Sequence, residues 1–554
     1  MAIYGLHTGH DAASAKIIDN ELIYSYELEK FDEYRYSYIK TSKHIDYLFP
    51  KVFDGSKDKL IVSGEEKFGT IEVDGQNFYY DSIGYSSETK DPFSLKHSAL
   101  DISTKVYPIE TVYHTTCHVV GSYCCSPFAK RGEDAFVSMW DGGVDAMIFY
   151  VNYKDLSVKL LEKAVAYNGN VFSYISLYWG PLKLPSAASG DLTNFEKEMQ
   201  ARLDRTKPDH LNWRGAPGIL MAYQGLGEIN ADIVKILEDT MFDPGQHFPK
   251  SWNYKKLYNN LKKFDDEDIV ATMYGYLGKV KMDNLSRIVR AHKDKTPNMI
   301  LTGGCALNIK WNSYLRNLES CKEVWAPPFP NDCGISLGAA TTKMVLNNKS
   351  WEFDWDVYRG QELDLGIATE LSNQWKSRYC PLVDLAHLLY NEDEPVVFLH
   401  GRAELGPRAL GHRSIIASPV NKSMQERLNK IKGRASYRPV APMCMEKYAP
   451  DFFTPGVPDP FMLFDHMVKK DKKSLIPAVI HVDGTARLQT VNSEQEPDIY
   501  ELLQYFYQLS GIPMLCNTSA NDKGKGFFPS IASAMNWGGT KYIWAGGFLY
   551  EKVK

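Results

Sequence analysis

Two histidines four residues apart are the sharpest chemical signal in the sequence. They stand in the motif His114-Thr-Thr-Cys-His118. On a helix, residues i and i+4 share one face with their side chains about 6 Å apart, a spacing at which two imidazoles can hold a metal. Such pairs are also common among structural histidines that hydrogen bonds satisfy. A metal site here therefore requires a further ligand.

Two aspartates are candidates for that ligand. Asp141 follows Trp140 in a Trp-Asp-Gly-Gly turn, and Asp332 stands in Pro-Pro-Phe-Pro-Asn-Asp-Cys-Gly, each at a predicted strand-to-loop end where a carboxylate can point into a cleft. An isolated Asp-Gly is usually only a turn. Two histidines with one or two carboxylates suit iron, manganese or zinc and leave positions open for a substrate oxygen. The predicted metal ligands are His114, His118, Asp141 and Asp332.

Glycine pairs follow two apolar strands. They are Gly142-Gly143 and Gly303-Gly304, and each lacks the side chains that would keep phosphates or an adenosine away from the backbone. Either pair alone is more often a turn than a nucleotide site. Because they follow corresponding strands of two similar halves, we predict that they contact a nucleotide.

A basic cluster occupies the C-terminal part of the chain. Its cations are interleaved with Gly, Ala, Leu and Pro rather than with acids, which favours a semi-buried polyanion pocket over a solvated charge run. Asn517-Thr518-Ser519 would add neutral donors to a phosphate or carbamoyl group, unless it is a satisfied turn. The cluster comprises residues 401–413 with Arg408 and Arg413, then Lys432, Arg434 and Arg438, then His481 and Arg487.

Length, composition and charge restrict the class of protein. The 554 residues are 44% hydrophobic and 24% charged, which is typical of a globular chain with at least two domains and excludes a disordered or coiled-coil class. The net charge of -5 provides no global basic field for nucleic acid or membranes. We predict a cytoplasmic protein without a signal peptide or membrane span, whose nine cysteines are reduced and mostly packed.

The order of apolar and polar runs predicts a duplicated α/β core. Strands are expected at Ala2–Leu6, Ala13–Ile18 and Glu21–Glu27, and a second strand-turn-strand begins at Ala135. Helices near 267–293 and 333–347 flank a strand at Asn298–Leu301. A linker at 350–360 separates this part from an α+β domain with strands at Val396–His400, Ala478–Val482 and Pro513–Cys516.

With these residues in place, the chain resembles the NodU/CmcH family of O-carbamoyltransferases over nearly its whole length. The motif GRAELGPRALGHRSI at 401–415 is highly specific. The other motifs are GHDAASA at 9–15, HTTCH at 114–118, WDGG at 140–143, LTGGCALN at 301–308, PPFPNDCGISLGAA at 327–340, YRPVAP at 437–442, HVDGTARLQTV at 481–491 and CNTSAN at 516–521.

The resemblance implies an α/β protein with two domains. Residues 1–350 would be a duplicated actin/sugar-kinase-like domain that transfers a carbamoyl group, and residues 360–554 a YrdC-like α+β domain that forms carbamoyl-adenylate from carbamoyl phosphate and ATP. It also favours iron as the metal, with magnesium accompanying ATP. The expected partners are carbamoyl phosphate and a hydroxyl-bearing acceptor, with a homodimer possible and no membrane or polymeric nucleic acid.

Site residues follow from the same resemblance. His10 with Asp11 is expected to deprotonate the acceptor hydroxyl while the metal polarises the carbamoyl oxygen. Asn308 joins the four glycines at the nucleotide. The expected ligands of carbamoyl phosphate and ATP in the second domain are Arg408, Arg413, Lys432, Arg438, His481, Arg487, Asn517 and Ser519.

Two motifs depart from the family pattern. The usual Glu-Glu-Arg run is similar to Glu27-Leu28-Glu29-Lys30 here. The tail of the Asn-Thr-Ser motif reads Ser-Ala-Asn, and Lys-Gly-Lys-Gly-Phe-Phe-Pro-Ser at 523–530 stands where other members have a Glu-Pro step. The acceptor side and the carbamoyl phosphate pocket are the places that these changes affect.

Three other functions are compatible with parts of the sequence. A small-molecule kinase would use the same fold class with Asp141 and Asp332 in phosphoryl transfer, but it leaves the C-terminal arginines without a purpose. A non-enzymatic ATP-gated binding protein leaves the His114/His118 pair unexplained. A tRNA-modifying role requires a basic stripe that the sequence lacks. The acceptor hydroxyl belongs to an antibiotic sugar, an oligosaccharide or a nucleoside, and no motif selects among them.

Overall fold

The computed structural model describes residues 2–49, 59–65, 68–88, 90–102, 105–204, 210–241, 253–292, 294–366 and 373–553. They form a mixed α/β protein of two compact units. We call Met1–Arg131 with Ala326–Lys554 the discontinuous unit and Gly132–Trp325 the inserted unit. The domain division at 350–360 stays a prediction.

The discontinuous unit begins with a six-stranded sheet of order β3-β2-β1-β4-β8-β7. β1 to β3 form an antiparallel meander, as the sequence predicted, and β4 and β8 continue the sheet in parallel with β1. Its elements are β1 (Ala2–His7), β2 (Ala13–Ile18), β3 (Glu21–Glu27), α1 (Glu29–Asp32), α2 (Ser42–Leu48), β4 (Lys59–Ser63), β5 (Phe68–Val73), β6 (Gln76–Asp81), β7 (Leu95–Ile102), β8 (Lys105–Val112), α3 (His114–Cys124) and α4 (Pro127–Arg131).

The inserted unit repeats this strand order. Its five-stranded sheet runs β11-β10-β9-β12-β13, again an antiparallel meander followed by two parallel strands. Each sheet thus carries the same connectivity, which agrees with the predicted duplication. The elements are β9 (Ala135–Met139), β10 (Asp145–Asn152), β11 (Ser157–Asn168), α5 (Asn170–Tyr178), α6 (Pro185–Ser189), α7 (Phe195–Leu203), α8 (His210–Tyr223), α9 (Ala231–Met241), α10 (Tyr254–Leu261), α11 (Asp266–Ala291), β12 (Asn298–Thr302), α12 (Ile309–Arg316) and β13 (Glu323–Trp325).

The chain then returns to the discontinuous unit and builds an eight-stranded sheet of order β14-β24-β23-β15-β16-β22-β17-β21. Two helices, α14 and α17, pack against each other and bury their leucines in the core of this sheet. The elements are α13 (Ile335–Asn348), β14 (Trp375–Tyr379), α14 (Leu382–Asn391), β15 (Val396–Leu399), β16 (Arg413–Ala417), α15 (Ser423–Ile431), β17 (Ala441–Met445), α16 (Ala449–Phe452), β18 (Phe453–Thr454), β19 (His466–Val468), β20 (Thr485–Ala486), β21 (Gln489–Val491), α17 (Pro497–Ser510), β22 (Met514–Ser519), α18 (Ile531–Trp537), β23 (Tyr542–Ala545) and β24 (Phe548–Lys552).

One predicted strand is wrong. Ala478–Val482 contains a 3-10 turn, Pro477–Val479, instead of a strand. Pro477 fixes the backbone angle φ of the first turn residue, and the Ala478 amide donates to Pro419 O rather than to a ladder. The apolar run is buried, but an apolar run alone does not distinguish a strand from a buried turn.

Other expectations from composition are confirmed. All nine cysteines are free thiols, and all but Cys305 are buried. Among the helices in the described ranges, none is both long and apolar enough to cross a bilayer.

Glycines let α13 pack directly on α3 and β1. A Cβ at Gly338 would stand 2.1 Å from Cys117 O, and a Cβ at Gly5 would stand 1.9 Å from Ser336 O. These neighbours are backbone atoms that cannot move without shifting a helix. Because α3 carries His114 and His118 and α13 follows Asp332, this close packing sets the distance between those side chains.

We predict that Gly338→Ala lowers the free energy of unfolding by roughly 1–3 kcal/mol, because the added methyl forces α3 and α13 apart. Urea denaturation monitored by circular dichroism measures the change. The matched control is Gly218→Ala in α8, where an added Cβ meets nothing within 4 Å and helix propensity favours alanine by up to about 1 kcal/mol. Equal midpoints for Gly338→Ala and wild type would show that the helices have room to spare.

Candidate functional site

Two histidines and one aspartate converge in the discontinuous unit. His114 and His118 lie on the first turns of α3, as predicted, and Asp332 begins the 3-10 turn before α13. Asp332 Oδ1 is 3.6 Å from His114 Nε2 and 3.5 Å from His118 Nε2. All three side chains are buried. Their ligand atoms lie within 4.8 Å of one another, so they face a common point.

The charge balance at this point favours an ionised carboxylate. Burial raises the pKa of Asp332, but the imidazoles of His10 and His114 outweigh it and hold the pKa well below its usual range. The three groups stand farther apart than hydrogen-bonded partners, as ligands around an ion do. Two imidazole nitrogens and a carboxylate oxygen suit iron, manganese or zinc. The residues present therefore fit the predicted divalent metal.

Asp141, the remaining predicted ligand, lies in the inserted unit. It is buried just after β9, and the Gly304 amide donates to Asp141 Oδ1 at 2.7 Å. That bond joins the Trp-Asp-Gly-Gly turn to the Gly303-Gly304 turn. The role of Asp141 as a metal ligand stays a prediction.

His10 is placed between two carboxylates. Its Nδ1 is 2.9 Å from Asp11 Oδ2 and its Nε2 is 3.1 Å from Asp332 Oδ2. The exposed fraction of the His10 side chain is 29%, so a bound molecule can contact the ring. Asp11 adopts a left-handed φ of 61°, and such strain in a non-glycine residue recurs at functional sites. The base role of His10 stays a prediction that this geometry permits.

Sequence reasoning missed His7. Its ring is fully buried, with Nδ1 2.8 Å from Ser63 Oγ and Nε2 2.9 Å from His10 O. Burial lowers the pKa of His7 to about 3, so it is neutral, and Nε2–H donates to the His10 carbonyl. His7 thus fixes the backbone of His10. Its position three residues before His10 was the available signal.

The two glycine turns of the inserted unit support each other. The Cys305 amide donates to Trp140 O, and a Cβ at Gly303, whose φ is 84°, would stand 2.3 Å from that oxygen. Gly142 is half-buried and Gly143 exposed. Asn308 Oδ1 accepts from the Lys310 and Trp311 amides and caps α12. Nucleotide binding by the four glycines and Asn308 stays a prediction.

Five cations of the C-terminal part gather in the discontinuous unit, and we call them the cation cluster. Burial lowers the pKa of Arg434 to about 9 and that of Arg487 to about 10, and the charge of Arg438 adds to both effects. Burial, with help from the other cations, also lowers the pKa of the remaining members. The cluster comprises Arg408, Lys432, Arg434, Arg438 and Arg487.

Four members of the cation cluster have no carboxylate partner among the described residues. No carboxylate oxygen there lies within 4.0 Å of Lys432, Arg434, Arg438 or Arg487. The three arginines are half-buried, and their Nε atoms are fully buried without a hydrogen-bond acceptor. A cation with a desolvated and unpaired nitrogen is costly, so this arrangement favours a bound anion.

Backbone contacts hold the cluster in shape. Lys432 Nζ donates to Ser519 O at 2.7 Å and also contacts Asn521, and Ser519 Oγ donates to Asn521 Oδ1 at 2.6 Å. Asn517 Nδ2 donates to Ala409 O and to Gln489 Oε1. The three predicted segments therefore meet, and the altered Ser519–Asn521 motif serves as a brace for Lys432.

Two predicted anion ligands have other contacts. Arg413 is almost fully buried, and its guanidinium donates to the carbonyls of His400, Gly401 and His412 and of Gln361. His481 Nε2 accepts from the Arg487 amide at 3.2 Å. Arg413 thus fixes the 401–413 loop and His481 fixes Arg487, while their direct contact with an anion stays a prediction.

The substituted lysine of the Glu-Leu-Glu-Lys run is also accounted for. Lys30 Nζ is buried and donates to Glu27 Oε1 at 2.9 Å, to Gly406 O at 3.0 Å and to Glu404 O. It joins the end of β3 to the Gly-Arg-Ala-Glu-Leu-Gly loop at 401–406. The lysine that departs from the family pattern therefore holds the end of β3 against this loop.

Two family models match the chain. The model of the carbamoyltransferase N-terminus matches residues 2–341, and that of the carbamoyltransferase C-terminus matches residues 386–552. Nodulation protein U of Rhizobium tropici is 35% identical over 100% of this chain and 96% of its own length. The 3'-hydroxymethylcephem-O-carbamoyltransferase of Amycolatopsis lactamdurans is 29% identical over 95% of this chain and 94% of its own length.

The chain belongs to the carbamoyltransferase family, and it is a transferase enzyme. The resemblance drawn from the sequence motifs is confirmed. Among solved structures, the activator of 2-hydroxyisocaproyl-CoA dehydratase from Clostridium difficile with bound ADPNP is 14% identical and covers 63% of this chain and 97% of its own, with a TM-score of 0.33. A TM-score below 0.5 does not establish a shared fold.

We predict that purified wild-type protein retains a divalent metal and that His118→Ala lowers its metal content at least about tenfold, because a buried ligand is lost. Plasma mass spectrometry measures the content. His97→Ala is the control, since His97 is exposed on β7 and lies apart from the site. Equal metal content in wild type and His118→Ala would show that these residues do not hold a metal.

Proposed function

We propose that this protein is an ATP-dependent O-carbamoyltransferase. It forms carbamoyl-adenylate from carbamoyl phosphate and ATP and transfers the carbamoyl group to a hydroxyl of a small-molecule, sugar or nucleoside acceptor. The observation that carries the proposal is the cation cluster, in which the buried Nε atoms of Arg434, Arg438 and Arg487 lack acceptors among the described residues. Two negatively charged substrates repel each other, and fixed cations are what bring them together.

The first half-reaction suits the cation cluster. With one water, carbamoyl phosphate yields inorganic phosphate and carbamate. The carbamate oxygen then bonds to the α-phosphorus of ATP as the bond from that phosphorus to the β-phosphate oxygen breaks, which releases pyrophosphate. Negative charge accumulates on phosphate oxygens throughout, and the planar arginine side chains can bind these oxygens in pairs.

The second half-reaction suits the site at His10. The acceptor oxygen bonds to the carbamoyl carbon, AMP leaves, and His10 takes the hydroxyl proton while Asp11 and Asp332 orient its ring. His114, His118 and Asp332 would hold the metal, and we keep Asp141 in the ligand set on the strength of its motif. A bound divalent metal, iron before manganese or zinc, supplies a Lewis acid for the carbamoyl oxygen.

The remaining assignments of the proposal rest on sequence and strand order. The repeated meander supports an actin/sugar-kinase-like duplication in the N-terminal part, with ATP and its magnesium at the glycine turns and Asn308. We assign the C-terminal sheet to the YrdC-like class from its motifs. We further propose that the enzyme acts in the cytoplasm, and that it is a homodimer.

The test is the release of pyrophosphate from ATP by the purified protein without an acceptor. We expect release only when carbamoyl phosphate is present. Arg438→Gln should lower kcat/KM for carbamoyl phosphate by roughly 10²–10³, because a fixed cation at the developing charge is lost. Arg427→Gln is the matched control, since Arg427 pairs with Glu394 away from the cluster and should leave the rate unchanged. Formation of ADP, or pyrophosphate release independent of carbamoyl phosphate, would contradict the proposal and favour a kinase.

A further inference from the structure

An eleven-residue segment of the N-terminal part is docked on the C-terminal part of the same unit. We call Glu27–Ser37 the bridging segment. At its start, the Gly406 amide donates to Glu27 Oε1 at 2.7 Å, and Lys30 contacts the carbonyls of the same loop. Farther along, the Gly526 amide donates to Glu33 O at 2.7 Å and Ser533 Oγ donates to Glu33 Oε1 at 2.6 Å. The loop at 401–406 precedes the cation cluster in sequence, and Gly526 and Ser533 follow it.

The bridging segment is also attached beside His10 and Asp11. The Ala12 amide donates to Ser37 O at 3.0 Å, and the Leu28 amide donates to Ala12 O at 2.8 Å. Both ends of the segment are thus bound to the residue that follows Asp11. Hydrogen bonds of this segment thus connect the two chemical sites.

The backbone of the segment is held in a costly conformation around Arg35. Glu33 has a φ of 62° and Tyr36 a φ of 57°, both in the left-handed region that non-glycine residues avoid. Such a conformation persists only where surrounding contacts impose it. The contacts of Glu33 impose it here, and they fix the residue between the two turns.

That residue, Arg35, is a half-buried cation on the segment that is hydrogen-bonded to both parts. Its guanidinium lies 4.9 Å from the centre of the Tyr36 ring, and its Nη2 donates to the Tyr36 hydroxyl at 3.3 Å. Tyr36 and Glu29 raise the pKa of Arg35 against its burial, and Asp11 adds to that effect. On the other side, the charge of Arg35 contributes to the lowered pKa of Arg408, Arg438 and Lys432.

We propose that Arg35 is an anion-binding residue for the carbamoyl donor, supplied by the N-terminal part to the cation cluster. This inference rests on the proposed function and names one more residue of its donor site. Arg35 binds a phosphate oxygen of carbamoyl phosphate, and then of the carbamoyl-adenylate, on the side nearest Asp11 and His10. The carbamoyl carbon of the adenylate is thereby held toward the base, and the adenylate is kept from water until the acceptor arrives.

The matched variants separate this role from docking. Arg35→Gln removes the cation, Arg35→Lys keeps a charge on a similar stem, and Ser533→Ala removes one docking hydrogen bond without touching the charge. Urea midpoints and transition slopes that match wild type identify the variants that fold normally. Arg35→Lys serves in place of Arg35→Gln if the latter is unstable.

Calorimetric titration with carbamoyl phosphate alone gives the first readout. We expect Arg35→Gln to weaken binding about tenfold or more, Arg35→Lys to weaken it less, and Ser533→Ala to leave it near wild type. Equal affinity of Arg35→Gln and wild type overturns the inference. So does an equal loss in Ser533→Ala, since the effect would then belong to docking.

The second readout is the number of carbamoyl groups transferred per pyrophosphate released, measured with an accepted hydroxyl compound. Arg35→Gln should lower this ratio because more of the donor is lost to water, and Ser533→Ala should keep it. An unchanged ratio in Arg35→Gln overturns the positioning role. If wild type binds carbamoyl phosphate but releases no pyrophosphate, the proposed function fails while the titration still decides the role of Arg35.

Discussion

The fold must hold several positively charged side chains close together. Five cations from three segments of the C-terminal part lie together, and guanidinium nitrogens of Arg434, Arg438 and Arg487 are buried without acceptors. Nothing in the mutual repulsion of these groups favours the fold, so packing elsewhere must offset it. Two sets of hydrogen bonds stabilise this arrangement. The buried Arg413 donates to carbonyls of the 401–413 loop region, and Lys432 donates to Ser519 and Asn521. An anion of matching charge relieves the repulsion, and that is the reason to place the donor there.

The second site is governed by close packing instead of charge. Gly338 and Gly121 allow α13 and α3 to approach each other, which brings His114 and His118 toward Asp332. Asp332 then serves two purposes, because one oxygen faces those histidines and the other faces His10. A divalent metal held by His114, His118 and Asp332 would share this carboxylate with His10, so the proposed Lewis acid and the proposed base would be coupled through Asp332. The bridging segment connects this arrangement to the cation cluster.

Local spacing predicted much of this architecture. The strands of both meanders and the helical His114/His118 pair could be read from the sequence because turn residues and i, i+4 spacing are local signals. The family motifs marked the arginine segments for the same reason. The strand predicted at Ala478–Val482 was wrong because these residues are apolar through burial in a 3-10 turn, and not through the alternation that is typical of a strand. Arg35 could not be found, since its role depends on which distant loops dock against its segment. The available signal for His7 was its position three residues before His10, and Arg413 could not be told from an anion ligand without its carbonyl partners.

The most direct measurement is the effect of carbamoyl phosphate on the stability of the protein. An anion that binds the folded protein and relieves the repulsion among the cations raises the free energy of unfolding as its concentration rises. Urea denaturation at low temperature and constant ionic strength, followed by circular dichroism, measures this change. The account predicts that the urea midpoint of wild type rises with the concentration of carbamoyl phosphate, and that the midpoint of Arg434→Gln rises less. A wild-type midpoint that does not change with carbamoyl phosphate would contradict the cation cluster as the donor site.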